Sequence, residues 1–320
     1  MSKRYYIAAD GGGSKLHAIL YDESFSVIRT AKVSGTNHLF KPMEEVKANL
    51  RAVLDELIGE EKIEIERADF CLVGGNEQMR ELLRADGRVK KFAFHDEPVS
   101  SMAAALTGEG TLALAGTGSG VMHLKNGRMV AGIGGWGALL GDEGSGYDIG
   151  LRAIKAAVYA EDGRGAPTRL LELVKERWPL PALYDLIFHL AETSDCRKEV
   201  ASAALLASKA AREGDAVAIE IYEKAADEMF LMWNTLRKKH PEHYTGKTVI
   251  TGGAWKGYQG MFRRFKQCVL AVDPMAEVIK PMYEPVVGCA VLPLLSEGMT
   301  AEEIQKKIAV GFAPLAYREG

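Results

Sequence analysis

The chain has 320 residues, and at about 150 residues per domain this length predicts two domains. Hydrophobic residues account for 47% of the chain and charged residues for 26%, an ordinary globular composition that excludes the disordered and collagen-like classes. The net charge is −3, with both signs scattered along the chain, so nothing indicates a surface for nucleic acid or for an anionic membrane.

The N-terminal sequence does not read as a signal peptide, because the apolar stretch after Arg4 stops at Asp10. No apolar run approaches the roughly 18 residues of a membrane span, and we therefore expect a soluble, cytoplasmic protein. The four cysteines are far apart and form no CxxC motif, which favours buried thiols over a zinc site or a disulfide framework.

Apolar periodicity predicts alternating strands and helices in the first third of the chain. An apolar run, a glycine turn and another apolar run are typical of a strand hairpin, and helical spacing follows later. The predicted elements are strands at 5–10, 16–21 and 27–33, a helix at 44–58, strands at 68–73 and 92–94, and a helix at 100–106. This order predicts a mixed sheet that begins antiparallel and continues through crossover connections.

The same opening occurs again about a hundred residues later. Strands at 111–115, 121–125 and 129–131 flank a second glycine turn at 116–120. This repetition predicts a duplicated α/β domain, with an N-terminal domain over 1–108 and a C-terminal domain over 109–320. The second domain is longer because of a mostly helical insertion, and the elements predicted in and after it are helices within 146–240, a strand at 248–251, a helix at 261–269, a strand at 277–279 and a buried helix at 286–295.

The first glycine turn is a candidate for binding phosphate. It runs from Asp10 to Lys15 between two strands, so it is not the P-loop, which opens a helix. Glycines such as Gly12 and Gly13 let several backbone N–H groups point at one anion. Ser14 adds a hydroxyl and Lys15 a cation. A glycine hairpin on its own is more often only a turn.

The second turn strengthens this interpretation. It contains Thr117 and Gly118 and offers the same donors at the equivalent place in the duplicate. Two such turns facing each other across a cleft between the domains predict a site for a polyphosphate. A third glycine turn, at 251–255, follows a strand and precedes a helix, and it suits the base and ribose of a nucleotide.

Asp96 follows the apolar strand 92–94, at the carboxyl end where open α/β sheets place their ligands. A hydroxyl that attacks a γ-phosphoryl group needs an acceptor for its proton, and this carboxylate is the predicted general base. The alternative is that Asp96 only caps the following helix, with Pro98 in the first turn.

The densest signal is the segment 132–147, which combines many glycines with Trp136 and the adjacent carboxylates of Asp142 and Glu143. Ordering so many glycines costs backbone entropy, so the segment is expected where a ligand needs its shape. Carboxylates beside an indole and exposed amides suit a polyhydroxylated sugar. A divalent-metal loop is the rival, but the alternating oxygen ligands of an EF-hand are missing.

Taken together, these segments resemble the BadF/BadG/BcrA/BcrD-type group of the acetate and sugar kinase, Hsc70 and actin superfamily, over nearly the whole chain. The motifs closest to the N-acetylglucosamine kinases of that group are Gly-Thr-Asn-His at 35–38, Gly-Gly-Trp-Gly at 134–137 and Gly-Asp-Glu-Gly-Ser at 141–145. The resemblance implies an actin-like ATPase fold, in which two ribonuclease-H-like domains close on ATP and Mg²⁺ in the interdomain cleft.

The resemblance also implies roles for individual residues. Asp96 matches the catalytic carboxylate, and Asp10 stands where the family often has an acidic residue near the water shell of the metal. Gly257 departs from the family, which contacts nucleotide there through a serine. The remaining matches are phosphate positions at Ser14 and Thr117, adenine-nucleotide positions at Gly214 and Gly253, and sugar positions at Asn37, Gly135, Trp136 and Asp142.

The function implied is ATP-dependent phosphorylation of an amino sugar, foremost the 6-hydroxyl of N-acetylglucosamine. N-acetylmuramate or glucosamine kinase is the alternative, because the sequence does not reveal the room around C2 and C3 of the sugar. An alternative from a different class of protein is the ATP-driven activator of 2-hydroxyacyl-CoA dehydratases, which needs closely placed cysteine ligands for an iron–sulfur cluster. A sugar sensor without turnover is a third possibility, disfavoured by Asp96. Homodimers are common among similar kinases.

Overall fold

A computed structural model describes residues 3–12, 15–38 and 41–319. Its strands and helices, in chain order, are β1 (Tyr5–Gly11), β2 (Lys15–Asp22), β3 (Val27–Ser34), α1 (Met43–Leu57), β4 (Ile65–Leu72), α2 (Asn76–Asp86), β5 (Phe92–His95), α3 (Glu97–Ala103), β6 (Gly110–Ala115), β7 (Ser119–Lys125), β8 (Arg128–Gly134), α4 (Gly146–Glu161), α5 (Leu170–Arg177), α6 (Leu186–Glu192), α7 (Cys196–Ser202), α8 (Ala204–Arg212), α9 (Ala216–Lys239), β9 (Lys247–Thr251), α10 (Gly253–Gly257), α11 (Gln259–Val272), β10 (Glu277–Ile279), α12 (Pro285–Ser296) and α13 (Ala301–Ile308).

The first sheet has the strand order β3-β2-β1-β4-β5. β1 pairs antiparallel with β2 and parallel with β4, so the sheet is mixed, as predicted. One face carries a buried core that Leu50 of α1 and Met79 of α2 share with Phe70 of β4. Asp10 lies opposite His17 at the end of the β1–β2 hairpin, and the first glycine turn therefore sits at the edge where β1 ends.

The second sheet has the strand order β10-β9-β6-β7-β8. Taken in sequence order, β6 to β10 occupy the same places as β1 to β5 in the first sheet, which confirms the predicted duplication. The added length of the second half is helical, from α4 to α9, also as predicted. None of the helices in the described ranges has both the length and the apolar composition needed to cross a bilayer.

The chain forms two compact units, and their bounds differ from the predicted domains. The first unit comprises Met1–Leu112, His123–Val130 and Ile279–Tyr317, and the second comprises Ala113–Met122, Ala131–Val278 and Arg318–Gly320. The segment 279–317, predicted to belong to the C-terminal domain, thus packs with the first unit.

The cause of this difference is α12, whose residues are nearly all apolar and buried. Gly288 of α12 lies so close to α3 that a Cβ atom there would overlap the carbonyl oxygen of Ser100. On the next residue, the Cys289 thiol donates to the carbonyl oxygen of Ala9 in β1 at 3.2 Å. Apolar composition predicts that such a helix is buried, but it does not specify the sheet that buries it.

Candidate active site

The first glycine turn is held by backbone hydrogen bonds from three parts of the first unit. The Gly12 amide donates to the Lys15 carbonyl at 2.9 Å and closes the hairpin. The Gly11 carbonyl accepts from Val73 at 2.7 Å, and the Gly12 carbonyl accepts from Thr36 at 3.3 Å. Two predicted phosphate-binding residues, Gly13 and Ser14, lie outside the described residues, so their contacts remain predictions.

Two half-buried carboxylates lie beside this turn. Asp10 accepts a hydrogen bond from the Ser100 hydroxyl at 2.5 Å. Burial raises the pKa of Asp10 to about 6, although the Ser100 hydrogen bond and the Lys15 charge oppose the rise. A Cβ atom on Gly12 would lie 3.4 Å from Glu97 Oε1, and burial together with the charge of Asp10 raises the pKa of Glu97 to about 7. Both carboxyl groups therefore bind a proton more readily than an exposed carboxyl group does.

Glu97 and Ser100 were not among the predicted site residues. The available signal was their place in the sequence, since both lie within one helical turn of Asp96. That signal is weak because an acidic residue and a serine near a helix start are also typical of capping. Their proximity to the first turn depends on how α3 packs against β1, which the sequence alone does not specify.

Asp96 lies between β5 and α3 with an extended backbone, φ −62° and ψ 138°, the conformation of an N-cap residue. Its side chain nevertheless makes no capping hydrogen bond and is exposed. Among the described residues no ion pair or hydrogen bond engages this carboxylate. The geometry therefore provides an uncommitted carboxylate at the end of a strand, which suits a proton acceptor better than a cap.

The strand that precedes Asp96 is held in place by hydrogen bonds to the buried carboxylate of Asp69. His95 Nε2 lies 2.9 Å from Asp69 Oδ1 on the neighbouring strand, and Arg67 Nε lies 2.6 Å from Asp69 Oδ2. Burial by itself raises the pKa of Asp69, but the hydrogen bonds from Arg67 and His95 outweigh it and lower the pKa. These contacts fix the last residue of β5 and so restrict where Asp96 can lie.

Asn37, a predicted sugar contact, is buried in a loop that packs beside the first turn. The neighbouring Thr36 amide bonds the Gly12 carbonyl, and Asn49 Nδ2 donates to the Gly35 carbonyl at 3.1 Å. The loop also touches the end of β4, where a Cβ atom on Gly74 would lie 2.9 Å from the Thr36 carbonyl oxygen. The predicted sugar loop and the predicted phosphate turn are therefore one packed cluster.

In the second unit, the turn with Thr117 and Gly118 is joined to the GDEGS segment. The Gly116 amide donates to the Gly118 carbonyl at 2.9 Å, and the Gly116 carbonyl accepts from the Gly146 amide at 2.8 Å. Gly146 is the first residue of α4, so the N-terminus of this helix donates into the turn. Ser145 caps the helix by accepting from the Asp148 amide at 3.1 Å.

Asp142 is buried, and its carboxylate is directed at the second turn. It accepts from the Ser119 amide at 3.2 Å and from Arg197 Nη2 at 2.9 Å. Its backbone has a φ of +64°, in the left-handed region that side chains rarely adopt. The predicted contact of Asp142 with a sugar stays a prediction, and such a contact requires that the carboxylate exchange one of these partners.

Trp136 and Gly135 belong to the loop that precedes Asp142. The Gly135 amide donates to the Ser119 carbonyl at 2.9 Å and anchors the start of the loop to β7. Beyond this anchor the side chains of Trp136, Leu139 and Leu140 are 74%, 93% and 74% exposed. An indole held in solvent on an anchored loop provides a flat apolar surface for the C–H face of a sugar ring.

The third glycine turn lies directly beside the second. Gly252 has a φ of +107°, and a Cβ atom on it would overlap the Ala115 carbonyl oxygen just before Gly116. Gly253 follows as the first residue of α10, with nothing within 4 Å of an added Cβ atom. The structure therefore brings the predicted nucleotide turn and the predicted phosphate turn together within one unit.

The two other predicted nucleotide residues, Gly214 and Gly257, are linked through Arg212. Arg212, at the end of α8 and two residues before Gly214, donates through Nη2 to the Gly257 carbonyl at 2.9 Å. A Cβ atom on Gly257 would overlap the hydroxyl of Tyr222, which occupies the space of the serine that the family resemblance implies. Any nucleotide contact of Gly257 is therefore restricted to its backbone.

Comparisons with known proteins agree with this architecture. The model of the BadF/BadG/BcrA/BcrD ATPase family matches residues 9–293. The N-acetylmuramic acid/N-acetylglucosamine kinase of Clostridium acetobutylicum is 28% identical over 300 residues, which cover 90% of this chain and 98% of that protein. The N-acetyl-D-glucosamine kinase of Dictyostelium discoideum is 24% identical over 318 residues, which cover 93% of this chain and 100% of that protein.

Among solved structures, a candidate N-acetylglucosamine kinase from Porphyromonas gingivalis superimposes with a TM-score of 0.73. The two chains are 17% identical, and the match covers 92% of this chain and 100% of the other. At 17% sequence identity, this structural similarity is evidence for the fold alone, and it confirms the predicted fold class. Because the family match extends from residue 9 to residue 293, this chain belongs to the BadF/BadG/BcrA/BcrD ATPase family.

Proposed function

We propose that this protein transfers the γ-phosphoryl group of ATP to a hydroxyl of an amino sugar, foremost the 6-hydroxyl of N-acetylglucosamine. The observation that carries the proposal is the uncommitted carboxylate of Asp96, at the end of β5 and next to the helix whose Ser100 bonds Asp10. Family membership supports the use of ATP. The names of the two curated relatives support an N-acetylated amino sugar as the acceptor.

In this proposal Asp96 accepts the proton of the attacking hydroxyl. A bond forms between the sugar oxygen and the γ-phosphorus, the bond from that phosphorus to the bridging oxygen breaks, and ADP leaves. Little covalent chemistry falls to the protein, because phosphoryl transfer depends on positioning and on neutralising charge. The hydrogen-bonded chain of Arg67, Asp69 and His95 keeps the end of β5 in place for this task.

The glycine turns supply donors for phosphate oxygens. In the first unit these are the backbone N–H groups around Gly12, with Lys15 as a nearby cation, and in the second unit they are those of Thr117 and Gly118. Gly253 and Gly214 are proposed to contact the adenosine part. The closeness of the second and third turns, at Ala115 and Gly252, supports one continuous nucleotide site in the second unit.

The residues beside the first turn fit a magnesium ion that arrives with ATP. Asp10 and Glu97 offer hard oxygen ligands on half-buried carboxyl groups whose pKa values desolvation raises, so a divalent cation there would stabilise their charged forms. Mg²⁺ typically binds through one or two carboxylates and the substrate phosphates. Asp10 would hold its water shell, and the ion would supply charge neutralisation on the phosphates.

The sugar is proposed to contact Asn37 in the first unit and Gly135, Trp136 and Asp142 in the second. The exposed indole of Trp136 would cover one face of the ring, while amide and carboxylate oxygens accept from its hydroxyls. N-acetylmuramate and glucosamine remain alternative acceptors, the first of them supported by the name of the clostridial relative. We propose that this ATP-dependent reaction takes place in the cytoplasm.

The dehydratase-activator alternative requires cysteines that can share an iron–sulfur cluster at a surface. Cys71 and Cys289 are buried, whereas Cys196 is exposed on α7 and Cys268 is partly buried on α11. The two buried thiols belong to the first unit and the other two to the second. This distribution favours the kinase.

A coupled ADP-release assay tests the proposal directly. Purified protein with ATP and Mg²⁺ would be offered N-acetylglucosamine, N-acetylmuramate, N-acetylmannosamine, glucosamine and glucose. We expect ADP release to depend on an N-acetylated sugar, and ³¹P NMR to show a sugar 6-phosphate. 6-Deoxy-N-acetylglucosamine should inhibit without being phosphorylated. Absence of sugar-dependent ADP release with every amino sugar would overturn the proposed function.

A further inference from the structure

We propose that Arg197 is a phosphate-contacting residue of the second glycine turn, where it would bind the β- and γ-phosphates of the nucleotide. The inference rests on the proposed function only in taking this turn as part of the ATP site. Arg197 lies on α7, a helix of the insertion, far along the chain from the turn. No sequence pattern marks it, and only the fold brings it to the glycines.

The position of the guanidinium is the main observation. Arg197 Nη2 lies 2.9 Å from the place that a Cβ atom on Gly118 would occupy. The carboxylate oxygens of Asp142 lie 2.8 and 3.0 Å from the same place, so any side chain at 118 would displace the Arg197–Asp142 pair, and with glycine there this pair covers the turn directly. The Ser119 amide already donates to Asp142, so a phosphate group bound at Thr117 and Gly118 would come within reach of this arginine.

The turn does not depend on Arg197 for its shape. The Gly116–Gly118 hydrogen bond closes it at 2.9 Å, and Gly146 and the GDEGS segment hold it from the other side, with the Ser119 hydroxyl donating to the Glu143 carbonyl at 2.7 Å. The guanidinium donates to Asp142, which also accepts from the Ser119 amide. Arg197 is therefore an addition to a turn that is already complete.

Stability does not explain the ion pair well. Asp142 is almost fully buried and the Arg197 side chain is 26% exposed, so both charges lose solvation when they meet. Such pairs often contribute little net stability, since the cost of desolvation offsets the attraction. We attribute the pair to nucleotide binding instead. In the absence of nucleotide, the Asp142 carboxylate would hold the Arg197 guanidinium beside the proposed phosphate turn as its counter-ion.

Phosphate chemistry explains the choice of arginine. The backbone donors of the turn are neutral, whereas the β- and γ-phosphates carry several negative charges that grow on the bridging oxygen during transfer. The guanidinium presents two parallel N–H donors to phosphate oxygens, which a lysine does not reproduce. When Arg197 turns to phosphate, the Asp142 carboxylate becomes available to a sugar hydroxyl, so the two substrates should assist each other's binding.

The test compares AMP, ADP and the ATP analogue AMP-PNP by calorimetry, with Mg²⁺ present for the last two. Arg197→Met keeps the apolar stem and removes the charge. We expect it to weaken AMP-PNP and ADP binding by roughly 10- to 100-fold, the worth of a charged hydrogen-bonded contact, with AMP changed less than about twofold. Arg197→Lys should recover part of the loss. The matched control is Arg177→Met, which removes another arginine ion pair of the second unit, to Glu199 at 3.0 Å.

The pattern across nucleotides separates this role from a structural one. If Arg197 only supports Asp142, then Arg197→Met and Asp142→Asn will affect all three nucleotides alike, and the inference is wrong. Equal binding of AMP-PNP by the wild type and by folded Arg197→Lys and Arg197→Met overturns it as well. Binding needs no turnover, so a wild type that binds AMP-PNP but phosphorylates no sugar would refute the proposed function alone.

Discussion

The hydroxyl of Ser100 donates a 2.5 Å hydrogen bond to the carboxylate of Asp10, and this bond joins two segments that are distant in the chain. Asp10 is the last residue but one of β1, beside the first glycine turn, whereas Ser100 lies on α3, which begins directly after Asp96. The bond thus sets the position of the proposed general base relative to the first turn.

Asp96→Asn keeps the shape of the side chain and removes the charge that accepts the hydroxyl proton. We expect kcat to fall by roughly 10² to 10⁴, the usual contribution of a positioned general base, while ATP affinity stays within a few-fold. The melting temperature should not change, because the side chain makes no capping bond. Exposed Asp55→Asn, in the same unit, is the control. Near-wild-type kcat in folded Asp96→Asn would remove Asp96 from the catalytic role.

Glu97→Gln tests the electrostatics of the corner beside the first turn. Because burial and the charge of Asp10 raise the pKa of Glu97 to about 7, the folded state binds its proton more tightly than the unfolded state. Its contribution to stability is therefore complete below the ordinary glutamate pKa and is lost as the pH rises through about 7.

Glutamine is neutral at every pH, so the Glu97→Gln variant should exceed the wild type in stability at pH 8 by about 1 to 3 kcal/mol and match it at pH 4. Urea unfolding across this range measures the difference. Exposed Glu192→Gln, in the second unit, is the control. Equal stabilities of Glu97→Gln and wild type at pH 8 would contradict the placement of this carboxylate.

Adjacent glycines of the third turn should respond very differently to alanine. Gly252 combines a φ of +107° with a Cβ position that overlaps the Ala115 carbonyl, so Gly252→Ala should cost about 2 to 4 kcal/mol of folding free energy. Gly253 has open space around its Cβ position, and Gly253→Ala should change stability by less than about 1 kcal/mol.

Nucleotide binding by the Gly253→Ala variant separately tests whether Gly253 belongs to the predicted adenine site. A folded Gly253→Ala variant with weaker AMP binding supports a contact at this residue, and unchanged AMP affinity would remove Gly253 from the nucleotide site. Thermal unfolding of both alanine variants and calorimetric titration with AMP are sufficient measurements.

Trp136 offers an optical test of the sugar site. It is 74% exposed, whereas Trp178, Trp233 and Trp255 are buried, so a sugar that covers Trp136 should shift the fluorescence emission to shorter wavelength. Trp136→Ala should abolish this shift, raise the KM for the sugar roughly tenfold and leave the melting temperature unchanged. Leu139→Ala, in the same loop, serves as the control. A sugar-induced shift that persists in Trp136→Ala would place the sugar elsewhere.

The order of strands and helices in both halves could be predicted from the sequence, because local sequence patterns indicate each element. The hairpin around the first glycine turn, the repeat at 111–131 and the helical insertion at 146–240 all appear at or near the predicted positions. Period-two alternation, helical spacing and glycine clusters report backbone conformation within a few residues, and they do so without knowledge of the partners.

Which unit receives an element was decided only by packing. The apolar composition of α12 indicates burial, yet only the close approach of Gly288 to Ser100 shows that it completes the first unit. The predicted domains, 1–108 and 109–320, follow the order of elements along the chain, because apolar periodicity carries no information about the identity of the surface that covers an element.

The sequence by itself therefore determined the duplicated α/β architecture, the glycine turns and the family, because these depend on residues that are neighbours in the chain. Tertiary structure alone decided that Glu97 lies beside Gly12 and that Arg197 covers Gly118. Contacts between side chains so far apart in sequence arise from the packing of whole helices on sheets. Such packing can bring a single charged side chain to a site although no local sequence pattern indicates that position.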